Sequence, residues 1–542
     1  MARKNCYLRK GLNILFGIFG ETHNFDKALL YFAKSAKDNN PFGLFFLMRY
    51  DETQDEEKVN SVYKKLFIIF TRDITDAWVY YCLGDFYALG LGDCELDRKK
   101  AMSYYQKAAE LGLIYAQSDL AGIFSYSEEA DQDKAFYWFT EASIAGDSRA
   151  QFQLGRHYEF GIGTEHNLEA ALYWYQKAAE NNFFEARFVL GTFYQTGKYL
   201  IEDWDKALIW LLPLADLGMP EACNNVGIIY EEKATSKKSF KKALKYFSYA
   251  AEWGISNAQF ILGSIYLEGK GVNKNFEKAM FWLNEAAKKE NAEAIYLLGE
   301  CYEEGHGVNK STYDAALNYE RARHLGYLPA IHRLGCLYRF GEGVQRDYEK
   351  AIKLLETAAK KYHFPSILEL AYLYAEITEE KKSLDWLNLA KDSAKDYDLI
   401  QLGYAYESGL IGVKDLETAR NCYIKALTID EYDALYHLSE TYADKETELL
   451  RLLSEIYPDK SELLFKLAEV YLSDLNKAIT WLEMISTSTK KKTLAKRIFS
   501  SAKVLAQKKR EGYYYLGLCY QKGIGTKRNQ KKANKAFELA KT

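Results

Sequence analysis

Proline is scarce, at 6 residues in 542. A chain so poor in the residue that breaks helices and stiffens linkers is neither a proline-rich linker array nor a collagen-like repeat. Long apolar runs are missing as well. The best candidate, residues 11–20, falls short of the roughly 18 apolar residues that a membrane helix needs. It follows basic Arg3, Lys4, Arg9 and Lys10, as a signal-peptide core would. No small-x-small cleavage site comes after it, however; the next residues are Glu21, Thr22, His23 and Asn24. Cysteine is sparse, with 8 residues at 6, 82, 94, 223, 301, 336, 422 and 519 and no Cys-x-x-Cys pair. That pattern supports neither a disulfide framework nor a tetrahedral zinc site, and it fits a reduced cytoplasmic compartment.

Signatures of chemistry are equally thin. No Walker sequence, His-Glu-x-x-His or Gly-x-Ser-x-Gly is present. The 8 histidines are scattered, and pairs such as Glu303-Glu304 and Glu379-Glu380 read as surface helix charge. No cofactor, metal or small-molecule substrate is expected, and no catalytic residue is assigned.

What the chain has is ordinary folded composition, 48% hydrophobic and 27% charged, with a large excess of tyrosine at 44 residues. The net charge of -3 conceals an asymmetry. Residues 490–542 hold 16 Lys and Arg against Glu511 and Glu538, a balance of +14, so the remainder carries -17.

One pattern explains most of the rest: Leu-Gly-x-x-Tyr, with Ala commonly four positions before the Leu. It occurs at Leu83, Leu154, Leu190, Val226, Leu262, Leu298, Leu334, Leu402 and Leu516, with weaker copies at Leu120, Leu370, Leu438 and Leu467. From Leu154 to Leu370 the spacing is 36 residues six times in succession. A fixed period in this range marks a stacked array. Within one period, Ala150, Leu154 and Tyr158 keep helical spacing, Gly161-Ile-Gly163 ends the helix, and Ala170, Trp174 and Ala178 define a second one. The unit is a helix hairpin. Twelve slots of the motif hold tyrosine, among them Tyr87, Tyr158, Tyr302, Tyr406 and Tyr471, and these are expected as core residues with a polar tip. The N-terminus fits loosely, with Gly11 in the Ala slot, Leu15 in the Leu slot and Phe19 in the Tyr slot. Charged stretches 51–57 and 376–382 read as hinges where the repeat degrades.

These residues resemble Sel-one-like repeats (SLR), a branch of the tetratricopeptide superfamily. The segment from Ala258 to Gly271, followed by Lys278 to Ala287, matches nearly every slot of that consensus. The expected fold is all-α: a right-handed superhelical solenoid of helix-turn-helix repeats of about 36 residues, in about 15 hairpins. The expected divisions are 1–76, degenerate repeats; 77–370, the regular array; 371–489, degenerate repeats again; and 490–542, a basic amphipathic helix with a capping repeat. Some family members are secreted and joined by an inter-helix disulfide. Here Cys223 matches the first slot but Ala251 stands in the second. This speaks against that subgroup and its penicillin-binding or β-lactamase-like activity. The resemblance implies a non-catalytic adaptor for one or more protein partners in bacterial signalling, envelope assembly or host interaction. The destination is cytoplasmic, with delivery into a host cell as the family's other route; a composition rich in Lys, Asn, Ile and Tyr suggests a bacterial source.

Two surfaces are candidates for contact. First-helix positions one before, two after and five after the motif Leu share one stripe. They hold Gln153, Arg156, Glu159, Glu300, Glu303, Arg333, Arg339, Glu369, Tyr372, Gln401, Tyr404 and Glu407. This stripe either carries partner contacts or is an ordinary solvated face. The second surface surrounds the apolar stripe Leu494, Ile498, Ala502 and Leu505 with Lys491, Lys492, Lys496, Arg497, Lys503, Lys508, Lys509 and Arg510. Such a helix suits an acidic partner or, as alternatives, an anionic membrane surface in peripheral contact or nucleic acid, the last being disfavoured.

Overall fold

The computed structural model describes the chain except for residues 1–3, 17–23, 52, 73, 75, 127–129, 235–236, 413, 443–447, 450, 454–465, 468–476, 480–488, 509–510 and 542. Every regular element among the described residues is an α-helix. The fold is an all-α solenoid of paired helices, and it divides into two compact units, residues 1–291 and 292–542.

The hairpin at 148–180 shows how the sequence builds each repeat. The Asp147 carboxylate accepts from the backbone N–H groups of Arg149 and Ala150 at 2.8 and 3.1 Å, starting the helix Ser148–Phe160. Gly161 ends it in the left-handed conformation, at φ 67°. Asn167 then does two jobs. Its N–H donates to the Tyr158 carbonyl at 2.9 Å, and its side chain caps the helix Leu168–Glu180 through Ala170 N at 3.0 Å. The same double bond recurs at Asp97 with Tyr87, Asp203 with Tyr194 and Asn275 with Tyr266 in the first unit, and at Ser311 with Tyr302, Asp347 with Tyr338 and Asp415 with Tyr406 in the second. A polar residue six or seven positions after the first turn glycine is therefore a registration device.

The two helices of a hairpin approach closely because the motif glycine faces a large second-helix side chain. A Cβ on Gly155 would lie 2.8 Å from the Tyr175 ring, and one on Gly299 would lie 2.5 Å from Tyr319. Tyr175, Tyr319 and Tyr423 are the largest fully buried side chains. Ala171, Ala178 and Ala179 around Tyr175 are wholly buried too, so small and large residues alternate through the core.

Three sequence expectations need correction. The motif tyrosines are not core as a class: Tyr374 and Tyr406 are buried, whereas Tyr87, Tyr158, Tyr194, Tyr230, Tyr266, Tyr302 and Tyr338 are half-buried. Lysine covers several of their faces, with the ammonium 4.0 Å from the ring centroid for Lys100 on Tyr87 and for Lys350 on Tyr338. Tyr471 lies outside the described residues. At the N-terminus, Gly11 in the helix Lys4–Phe16 packs on Phe32, just as the motif glycines pack on their second-helix partners. Gly11 thus takes the glycine slot and the register shifts; Phe19 lies outside the described residues. Finally, 376–382 is a hairpin turn between the helices Phe364–Glu376 and Glu380–Ser393, tied by Glu379 N–H to the Tyr374 carbonyl at 2.9 Å and by the Ser383 hydroxyl to the Ala371 carbonyl at 2.8 Å. The turn after Asp51 is likewise bonded, its carboxylate accepting from the Thr53 hydroxyl at 2.6 Å and from Gln54 at 2.8 Å.

Candidate partner-binding faces

The stripe on the first helices is neither uniformly solvated nor uniformly buried. Gln401 and Tyr404 are exposed, Tyr404 by 49%. Gln153, Arg156, Glu300, Arg333, Arg339, Glu369, Tyr372 and Glu407 are half-buried, and Glu159 and Glu303 are buried.

The buried members are held by bonds that link repeats. The Tyr319 hydroxyl donates to Glu303 at 2.7 Å within one hairpin, and Arg333 of the next repeat pairs with the same carboxylate. Arg339 then pairs with Glu369 at 2.7 Å and with Glu376 at 2.8 Å. Tyr423 donates to Glu407 at 2.6 Å, with the His437 ring nitrogen 3.7 Å away. In the first unit Tyr175 donates to Glu159 at 2.6 Å, with Lys198 at 3.7 Å. The rule is geometric. In these repeats a side chain five positions after the motif Leu reaches the next repeat, and Glu159, Glu303 and Glu407 also meet a tyrosine of their own second helix. Burial and these carboxylates push the Tyr175, Tyr319 and Tyr423 hydroxyls well above the usual phenol range.

Sequence reasoning missed this ladder, although its signal is in the chain. Glu and Tyr stand 16 residues apart at 159/175, 303/319 and 407/423. Where the second-helix slot holds Leu211, Leu283 or Leu355, the position 16 before it is Gln195, Leu267 or Arg339. In these three hairpins the carboxylate stands opposite the hydroxyl that satisfies it, whereas Glu231, 16 before Phe247, pairs with Lys270 instead.

The first unit also contains a cavity of about 650 Å³ on the same helix faces. It is lined from the helix Pro41–Tyr50 by Arg49 and Tyr50, from Ala77–Leu89 by Tyr81, Asp85 and Ala88, and from Ile114–Tyr126 by Asp119 and Gly122, among others. The Tyr105 hydroxyl donates to Asp85 at 2.5 Å, the Tyr81 hydroxyl to Asp119 at 2.6 Å, and Arg149 to Asp119 at 3.0 Å. Burial, opposed by the Tyr105 bond, raises the Asp85 carboxyl to about 7.

In the basic C-terminal segment, the helix Thr489–Lys508 buries Leu494, Ile498 and Ala502 completely. It packs against the hairpin formed by Glu511–Lys522 and Gln530–Lys541, with Leu505 half-buried. Lys496, Arg497 and Lys503 lie on the exposed side, Lys503 over the Phe499 ring at 4.8 Å. The apolar stripe is thus engaged in packing, and lipid insertion through it would require the helix to leave its hairpin. The side chains of Lys491, Lys492 and Lys508, and the whole of Lys509 and Arg510, lie outside the described residues.

Among the described residues no group of three or more His, Cys, Asp or Glu side chains is set to hold a metal ion, and no helix is long and apolar enough to cross a membrane. The seven cysteines whose side chains are described are free thiols; Cys223 donates to the Ala215 carbonyl at 3.4 Å, within its own repeat interface.

The Sel1 repeat family model matches residues 11–40, 80–113, 114–147, 148–183, 184–219, 220–254, 256–291, 292–327, 328–363, 398–428 and 510–541. The chain belongs to the Sel1 repeat family. Among curated proteins, DAP3-binding cell death enhancer 1 of Rattus norvegicus is 39% identical over 72 residues, 13% of this chain and 14% of that protein. An uncharacterized protein of Neisseria meningitidis serogroup B is 28% identical over 159 residues, 29% of this chain and 32% of its own. Chitin synthase regulator SKT5 of Saccharomyces cerevisiae is 36% identical over 91 residues, 16% of this chain and 13% of its own. The matched part is therefore a minor share of each relative's length, and the relatives include both bacterial and eukaryotic proteins. Among solved structures, the SLR-fold antigen c5321 of uropathogenic Escherichia coli is 24% identical, covering 75% of this chain and 86% of that one, at a TM-score of 0.43. A Sel1 repeat protein of Oxalobacter formigenes is 28% identical, covering 58% and 89%, at a TM-score of 0.44.

Proposed function

We propose that this Sel1 repeat chain is a non-catalytic scaffold that holds protein partners on the first-helix faces of its hairpins. The observation that carries the reading is the contrast within one stripe. Glu303, Arg333, Arg339 and Glu369 are locked in bonds between repeats, while Tyr404 and Gln401 remain open to solvent. A face whose framework is fixed before binding loses little side-chain freedom on association, and an exposed tyrosine on such a face supplies rigid contact area. The stripe positions Gln153, Arg156, Glu300 and Tyr372, half-buried, extend the same role within each unit.

The names of two relatives fit this reading: one is a DAP3-binding protein and the other a regulator of chitin synthase. The settings favoured for this chain are assembly of signalling or envelope complexes and contact with a host. The exposed Lys496, Arg497 and Lys503 are a secondary contact for an acidic protein surface.

The test uses the full chain, immobilised and challenged with the proteome of its source organism. Retained proteins are compared between the native chain and a Gln401→Ala/Tyr404→Ala variant that melts at the same temperature. Loss of a defined set of proteins in the variant is the expected result. An unchanged set in this variant and in a Gln153→Ala/Arg156→Ala variant removes the first-helix faces from the function.

A further inference from the structure

We propose that the cavity between the helices Pro41–Tyr50, Ala77–Leu89 and Ile114–Tyr126 takes an acidic side chain of a protein partner, with its carboxylate on the Arg49 guanidinium. The proposal rests on the scaffold reading and gives it a ligand chemistry.

The cavity exists because the stripe becomes small at this point. Five positions after the motif Leu, several other repeats carry Glu159, Glu303, Arg339 or Glu407, but here, as at Ala375, the residue is an alanine, Ala88. Two positions after it they carry Arg156, Glu300, Tyr372 or Tyr404, but in the repeat of Leu120 the residue is Gly122. A Cβ on Gly122 would meet nothing within 4 Å. The side chains that would fill the face are absent, and about 650 Å³ is left, a volume suited to one side chain with its flanking backbone.

The charges lining this space are unequal. Asp119 is already satisfied by Tyr81 and Arg149. Among the described residues Arg49 forms no direct ion pair, although its charge acts on Asp85; its Nε is buried without a hydrogen bond, and its guanidinium carbon lies 5.3 Å from the Tyr50 ring centroid. Arg98, exposed, lines the cavity as a second cation. A cationic guest would face both arginines, and a neutral one would leave Arg49 unpaired in a partly desolvated site. A carboxylate forms the bidentate pair that a guanidinium prefers.

Asp85 does not oppose this. It is 8% exposed and is faced by Arg49 and Tyr50 from one helix, Tyr81 on its own, Tyr105 from its hairpin partner, and Asp119 and Arg149 from the following repeats. Burial already raises its carboxyl to about 7, so an arriving carboxylate holds it in the protonated form. The protonated group then donates to the guest, and binding takes up a proton.

The experiment is fluorescence anisotropy of the full chain with two fluorescein-labelled octapeptides, Gly-Ser-Glu-Glu-Glu-Glu-Ser-Gly and its lysine counterpart. The expected result is binding of the glutamate peptide, weakened about tenfold or more by Arg49→Gln and by Gly122→Leu, the second of which adds bulk at a cavity-lining position where a Cβ meets nothing within 4 Å. Affinity falls between about pH 6 and about pH 8, and Asp85→Asn abolishes that fall. Affinity indifferent to both Arg49→Gln and Gly122→Leu overturns the proposal by sending the peptide elsewhere, such as to Lys496 and Lys503. Tighter binding of the lysine peptide overturns it by making Asp85 and Asp119 the recognising groups. If neither peptide binds while partner capture still depends on Gln401 and Tyr404, the cavity assignment fails alone. If that capture is also lost, the scaffold reading fails with it.

Discussion

The Tyr319 hydroxyl lies 2.7 Å from a Glu303 oxygen, and Arg333, 30 residues further along the chain, holds the other oxygen of that carboxylate. Tyr319 is wholly inaccessible and Glu303 nearly so. A buried carboxylate is tolerated only when its lone pairs are occupied, so the hydroxyl and the guanidinium are mutually necessary. Tyr319→Phe keeps the ring but orphans one side of the charge. It is expected to cost about 1–3 kcal/mol in urea unfolding. Replacing both residues, as Tyr319→Leu/Glu303→Leu, reproduces the Leu283 and Leu267 combination found elsewhere in the chain. The double variant is expected to be more stable than Tyr319→Leu alone; an equal or larger loss would show that the carboxylate does not need the hydroxyl.

The motif glycine makes a second prediction because the chain contains its own control. A methyl on Gly155 would sit 2.8 Å from the buried Tyr175 ring and 3.2 Å from the Ala171 carbonyl oxygen. Gly155→Ala therefore forces the hairpin apart and is expected to cost about 1–3 kcal/mol. On Gly122, also in a first helix, the methyl meets open space, so Gly122→Ala is expected to gain about 0.5–1 kcal/mol from helix propensity. Thermal melts of the two variants should move in opposite directions.

Positive φ recurs at a fixed slot just after the second helix. It is held by Gly218, Gly254 and Gly326 at φ 86°, 88° and 80°, but by Glu290 and Tyr362 at 57° and 59°. L-residues with a side chain adopt this conformation at a cost of roughly 1–2 kcal/mol. Tyr362 is 79% exposed, so little packing is lost with its side chain. Tyr362→Gly is expected to raise the urea midpoint, and Gly326→Val to lower it. A lower midpoint for Tyr362→Gly would mean that the ring contributes more than the backbone costs.

The hairpin was legible from the chain because its determinants are local. Glycine after the first helix, a capping Asp or Asn before the second and alternating Ala and Leu act within one period. The stripe was legible as a position but not as an environment. Whether Glu303 faces solvent depends on Tyr319 in the second helix and Arg333 in the next repeat, and periodicity alone does not say that a carboxylate and a hydroxyl 16 residues apart point at each other. The motif tyrosines misled for the same reason: the lysine of the following Lys-Ala step covers Tyr87 and Tyr338 from outside, leaving them half-buried. The cavity was invisible because it is made by what Ala88 and Gly122 lack.

Acid should act on the two units with opposite sign. In the second, Ser366 sits between two imidazoles, its hydroxyl 2.8 Å from His363 Nδ1 and 3.3 Å from His332 Nδ1, with Cys336 Sγ 3.7 Å from His332 Nε2. Burial, reinforced by the charges of His363 and Arg333, lowers His332 to about 3, and burial lowers His363 as well. Unfolding returns both rings to about 6.5, so the unfolded chain binds more protons. Their contribution is complete above about pH 6.5 and shrinks as pH falls towards 3, with His332 alone accounting for about 2 kcal/mol by pH 5. Asp85 in the first unit behaves inversely. Its folded value is raised, so its contribution is complete below about pH 4 and is lost as pH rises through about 7. In the full chain the two slopes oppose each other between about pH 4 and 6.5, and single variants separate them. His332→Gln should flatten the acid limb of the second unit's unfolding transition, while Asp85→Asn should stabilise the first unit more at about pH 8 than at pH 4. If His332→Gln leaves the acid limb unchanged, the imidazole pair is not the proton acceptor and the Ser366 network is only a packing contact.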